Sequence, residues 1–171
     1  MIEVAHSRAG VIGLLEIMER ENQDYKVLFD YSLRKREALL SNDIKGLASI
    51  TTGEEKLIQE VQQAERERLE LLNRLAVEFN IPASELNLKR LAELVTSDLS
   101  EQLVSIGDDL KTTIRELSFL NQVNSRLIGD TLAFTTHILE VITQEKREKS
   151  TYKERGQKER RKPPLVVDRR V

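Results

Sequence analysis

The stretch Leu120-Asn121-Gln122-Val123-Asn124-Ser125-Arg126-Leu127-Ile128 sets two carboxamides one helical turn apart among leucines. Each amide offers two N–H donors and one carbonyl acceptor. The pair suits hydrogen bonding to another chain's backbone or side chains, and it suits no bond-breaking step. An asparagine within an apolar seam has a second use, because it fixes helix register at some cost in stability. Both readings stay open for Asn124. The other chemistry-bearing residue types are sparse. His6 and His137 are far apart, and neither has a second histidine at i+3 or i+4. His137 has only Glu140 one turn on, and two ligands without a third make a poor metal site. Gly10-Val11-Ile12-Gly13 lacks the spacing and strand context of a phosphate loop. No carboxylate pair stands in an apolar setting that would separate its two pKa values. With no cysteine in the chain, disulfides, thiolate metal sites and cysteine nucleophiles are excluded, and a reducing cytoplasm is the natural compartment. The residues point to a binding protein with no cofactor, and no enzyme is expected.

Around that amide pair runs a single long helix, expected over residues 98–147. Its seam is Leu103, Ile106, Leu110, Thr113, Leu117, Leu120, Asn124, Leu127, Thr131, Phe134, Ile138 and Val141. Nine of these twelve are apolar and the spacing alternates three and four, so one stripe of the helix needs a partner along its length. Ser97 or Asp98 can cap its start, and no proline interrupts it. A first helix is expected over residues 2–40, with Gly10 and Gly13 weakening its opening turns. A second is expected over residues 43–79, where Leu47, Ile50, Glu54, Leu57, Val61, Ala64, Arg68, Leu71 and Leu75 again step by three and four, seven of the nine apolar. Thr51-Thr52-Gly53 predicts a kink or restart early in that helix. Ser41-Asn42-Asp43 reads as the turn between the two. Asn80 and Pro82 end the second helix, and Asn87 caps a short helix over residues 88–95.

The fold class is therefore all-α: an elongated antiparallel bundle of three long coiled-coil-like helices with a short fourth helix. A length of 171 residues with 33% charged and 4% aromatic side chains fits one slender bundle. The domain division expected is 1–147 for the bundle and 148–171 for a flexible basic tail. Residues 146–171 hold eleven Lys or Arg against four acids, whereas the rest of the chain is acidic. The only aromatic of that tail is Tyr152, which supplies no stacking platform, so nucleic acid is not an expected partner. No run of apolar residues is long enough for stable membrane insertion. The N-terminal stretch does not read as a signal peptide either, since Glu3, Glu16 and Glu19 surround its short apolar run.

On these residues the chain resembles the FlgN family of flagellar export chaperones. The resemblance rests on Leu120-Asn121-x-x-Asn124-x-x-Leu127 followed by Tyr152-x-x-x-Gly156. The more generic Leu39-Leu40-Ser41-Asn42-Asp43, the Leu57 to Leu75 coil and Leu88-Leu91 accompany them. The basic run Lys158 to Lys162 departs from the family pattern. The resemblance implies a cytoplasmic type III secretion chaperone. Its clients would be hook-associated proteins, bound through their C-terminal segments and delivered to the flagellar export gate. It implies a client-binding region comprising Leu117, Leu120, Asn121, Asn124, Leu127, Ile128 and Phe134. It also implies export-gate docking through Tyr152 and Gly156. A homodimer is compatible with the seam. The competing function is a structural, self-associating coiled coil or adaptor with no chaperone role.

Overall fold

The computed structural model describes the backbone of residues 2–158 and the side chains of residues 7–143. Four helices follow one another: α1 (Ile2–Ser41), α2 (Ile44–Glu78), α3 (Leu88–Leu94) and α4 (Ser97–Lys158). There is no strand among the described residues. By compactness the chain divides into two units, residues 1–127 and residues 128–171.

Asparagine ends both long N-terminal helices. Asn42 and Asn80 stand in the left-handed region, at φ 56° and 53°. After α1, Asn42 N–H donates to Leu39 O (3.3 Å) and Asp43 N–H to Ala38 O (2.9 Å). After α2, Asn80 N–H donates to Val77 O (3.1 Å) and Ile81 N–H to Ala76 O (2.9 Å). These paired bonds satisfy carbonyls that a helix end would leave open, and asparagine tolerates the required backbone. Asp43 then caps α2 by accepting from Gly46 N–H (2.9 Å), and Asn87 caps α3 by accepting from Arg90 N–H (2.9 Å). Asp98 lies in the first turn of α4, where Thr96 Oγ1 and the Leu99 N–H both donate to its carboxylate. Those bonds, with Arg8 close by, hold its pKa below the usual range.

The restart expected at Thr51-Thr52-Gly53 is not present: α2 continues through it as helix. Thr51 and Thr52 direct their hydroxyls onto Leu47 O (2.9 Å) and Ala48 O (3.1 Å), so neither breaks the ladder. Gly53 is there for space: a Cβ would lie 2.8 Å from the Tyr31 hydroxyl of α1. Gly107 has a similar reason, since a Cβ on it would meet Leu88 of α3 at 2.4 Å. At the far end α4 continues past the expected stop at Arg147 to Lys158. No proline or asparagine cap intervenes, and Glu, Lys, Arg and Gln there are good helix formers.

In the first unit α1 and α2 run antiparallel. Their ion pairs join Arg20 with Glu67, Glu21 with Arg68 (2.9 Å) and Lys35 with Glu54. The first part of α4 returns parallel to α1, as Thr113 bonds to Asn22 and Asn121 and Asn124 bond to Ser32. One apolar cluster, from Val11, Leu14 and Met18 to Leu75, Leu91 and Leu103, involves all four helices, with α3 closing it. A second joins Leu28 of α1, Leu57 and Val61 of α2 and Leu117 of α4. The helix ends and clusters together set the first part of α4, up to Leu127, along the α1–α2 hairpin.

Candidate functional site

Two polar layers interrupt the apolar packing of the bundle, and α4 contributes to both. In the first, Glu21 is fully buried and Asn22 nearly so. Arg68 Nε donates to Glu21 Oε1 at 3.0 Å and lies 2.9 Å from Oε2. Burial raises the Glu21 pKa, and the Arg68 bond only partly offsets that. Tyr25 Oη donates to Glu65 Oε1 (2.6 Å), and burial with that neighbouring carboxylate pushes the phenol far up. Thr113 Oγ1 lies 2.9 Å from Asn22 Oδ1 and 3.0 Å from Asp109 O, and it has one proton to donate between them.

The second layer is built from the amide pair. Asn124 is buried at 2% exposure, and its Nδ2 donates to the Ser32 carbonyl of α1 at 2.8 Å. Ser32 Oγ in turn donates to Asn121 Oδ1, also at 2.8 Å. One serine of α1 is thus held by two asparagines of α4, which pins the register of the two helices. Asn124 Oδ1 is buried and has no hydrogen-bond partner among the described residues. Ser32 is the residue that sequence reading missed. Its helical position was visible, but nothing local marks a serine as the receptor for amides 89 residues away.

The residues expected to bind a client fall into three groups. Leu117, Leu120 and Asn124 are buried within the bundle. Asn121 is exposed and Leu127 half-buried. Asn121 also lines an open recess of about 630 Å³ with Ile114, Leu117, Ser118, Gln122, Ser125 and Arg126. Ile128 and Phe134 belong to the second unit and are 46% and 66% exposed. Of the seven residues of the expected client-binding region, the bundle encloses three. Tyr152 and Gly156 lie on the helical backbone of α4, and their side chains fall outside the described residues.

Beyond Leu127 the apolar side chains of α4 are uncovered. Ile128, Leu132, Phe134, Ile138, Leu139, Val141 and Ile142 are each 41% exposed or more. Thr135 and Thr143 turn their hydroxyls back onto Thr131 O (2.8 Å) and Leu139 O (2.7 Å), which keeps those polar groups satisfied within the helix. A soluble chain rarely presents so many large apolar groups together unless something covers them. Leu132, Leu139 and Ile142 lie off the three-four seam and were not singled out from the sequence. A full helical projection of residues 128–143 would have found them.

Among the described residues no cluster of His, Asp or Glu could hold a metal ion, and His137 is exposed. Among the described residues no helix is long and apolar enough to cross a membrane.

The model of one protein family, described as FlgN protein, matches residues 11–160. No curated protein and no solved structure matches the chain.

Proposed function

The chain belongs to the FlgN family of flagellar export chaperones, and from that premise we propose that it binds the C-terminal segments of hook-associated proteins in the cytoplasm. It keeps them from assembling early and delivers them to the export gate. The observation that carries this reading is the bare apolar face of α4 from Ile128 to Ile142. A client segment that is unfolded before export and amphipathic when helical can bury its apolar side there. The ordering entropy of the segment is deducted from the binding energy, which keeps the capture reversible.

Within this reading the seven client-region residues divide their work. Ile128 and Phe134 touch the client directly, with Leu127 and Asn121 at the border. Leu117, Leu120 and Asn124 act from beneath, by holding α4 on the α1–α2 hairpin. Tyr152 and Gly156 dock the export gate, a role that rests on the family's Tyr-x-x-x-Gly pattern.

Calorimetric titration of the full chain with the C-terminal segment of a hook-associated protein tests the proposal. A saturable complex in which Phe134→Ser weakens binding is expected. A wild-type protein that is folded yet binds no such segment overturns it, and leaves self-association as the use of the apolar face. Secretion assays with Tyr152→Ala should show client binding retained and export reduced; unchanged export removes the docking role.

A further inference from the structure

The apolar face beyond Leu127 is too wide for one helix. At about 100° of turn per residue, the buried α4 side chains of the first unit span an arc of about 100°, from Leu120 at one edge to Leu103 at the other. Two helices share that arc, as the cluster of Leu117 with Leu28 of α1 and Leu57 and Val61 of α2 shows. In residues 128–143 the large apolar side chains span an arc of about 180°. It runs from Val141 and Phe134, through Ile138 and Ile142, to Leu139 and Leu132. A single helix packed on such a rod covers a narrow seam and leaves one flank wet.

Charge is also nearly absent from this segment. Residues 128–143 contain Asp130 and Glu140 as their only Asp, Glu, Lys or Arg; Glu140 projects from the side opposite the apolar arc, and Asp130 borders the arc at its Val141 edge. The occupant therefore meets mainly shape and apolar surface, with Asp130 as the one carboxylate at its edge.

We propose that this face takes two amphipathic helices from one polypeptide of another protein. One lies along the Phe134 and Val141 flank, the other along the Leu132 and Leu139 flank. The proposal rests on the client-binding reading and specifies it: the client segment folds into a helix pair around α4, with little electrostatic contribution. A second copy of this chain fits less well, because it brings one α4 and leaves a flank bare on each copy. Nor does the remainder of the chain supply the pair. Residues 159–171 hold seven charged residues and two prolines against a single apolar triplet, Leu165-Val166-Val167.

The test uses the full chain and a C-terminal hook-associated segment of about 45 residues, enough for two helices of about 30 Å, and each half of that segment alone. Two variants remove one flank each: Phe134→Ser with Val141→Ser, and Leu132→Ser with Leu139→Ser. Circular dichroism checks that both remain helical, which their exposed positions favour. The whole segment should bind about tenfold or more tighter than either half, and each variant should lose about tenfold or more, a loss equal to about 1.4 kcal/mol. Affinity should change less than about threefold on raising salt from about 0.05 to 0.5 M, because a single carboxylate, Asp130, borders the face. The inference is overturned if one flank variant binds like wild type, if one half binds as tightly as the whole, or if salt weakens binding strongly. A wild-type dimer that both variants dissociate, with the client unable to compete, overturns it in favour of a second copy. Failure of the wild type to bind any of the three segments overturns the client reading itself.

Discussion

The two stretches of α4 on either side of Leu127 follow the same three-four spacing and meet different fates. In the first, Leu103 is fully buried and Leu110, Leu117 and Leu120 nearly so. In the second, Phe134 is 66% exposed, and Ile138 and Val141 are each 41% exposed. They differ in polarity as well. Residues 97–127 carry eight charged side chains, whereas residues 128–143 carry two. The stretch that folds inside its own chain buries a narrow stripe, leaves Val104, Ile114 and Phe119 exposed beside it, and carries many solvated charges. The stretch left open has a broad apolar arc and almost none. An intramolecular seam needs width only for the helices that meet it, and charge elsewhere keeps it soluble. A face that loses charge while its apolar side chains stay exposed is suited to a partner that comes and goes.

Substitutions on the two sides should break this contrast or sharpen it. The largest effect is expected for Leu103→Ala, which removes a fully buried side chain from the cluster of all four helices. A loss of about 3 kcal/mol in unfolding free energy is expected from denaturant melts. A loss below about 1 kcal/mol would show that this stretch is as loosely held as the other. Asn124→Leu should act in the opposite direction, raising stability by about 1 kcal/mol. It removes a buried carbonyl oxygen with no partner among the described residues, while the Ser32 carbonyl of α1 keeps its place in the helix. The same change should loosen register, visible as broadened amide signals in residues around Ser32; sharp signals and unchanged stability would argue that the second layer pins nothing.

A pH series addresses the first polar layer. Glu21 has a raised pKa in the folded protein, so the native state holds its proton to higher pH than the unfolded chain does. Stability should therefore fall as pH rises from near 4.5, the ordinary glutamate value, through the raised one. Other carboxylates contribute with either sign: Asp24 is raised by burial, while Glu67 and Asp98 are lowered by hydrogen bonds. The informative quantity is the stability of Glu21→Gln minus that of wild type, which should increase with pH over that interval. A flat difference would mean that Arg68 fully compensates the burial.

The smallest effect belongs to the open face. Ile138→Ala, at a side chain 41% exposed, should change unfolding free energy by less than about 0.5 kcal/mol in the absence of partner. A larger loss would show that the face is already covered in the free protein, and would erase the contrast between the two stretches.

Much of this architecture is written in the sequence because its causes are local. Asn42, Asn80 and Asn87 sit where a helix must stop or start, and asparagine accepts those backbones and caps within a few residues. The heptad spacing of Leu57 to Leu75 and of Leu103 to Val141 requires long helices with one apolar side, whatever lies beside them. The Leu-Asn-x-x-Asn pattern followed by Tyr-x-x-x-Gly pointed to the family that the match over residues 11–160 establishes. Only the tertiary structure decided which parts of those stripes are satisfied within the chain. Leu117 and Phe134 occupy the same seam and look alike in sequence, yet one packs against Leu28, Leu57 and Val61 and the other is exposed. Periodicity is a property of one helix, while burial depends on which other helix reaches it. For the same reason the sequence could not say that Asn121 and Asn124 close on Ser32, or that Gly53 makes room for Tyr31. Those contacts join residues far apart along the chain, and only the packing of α1 against α2 and α4 brings them together.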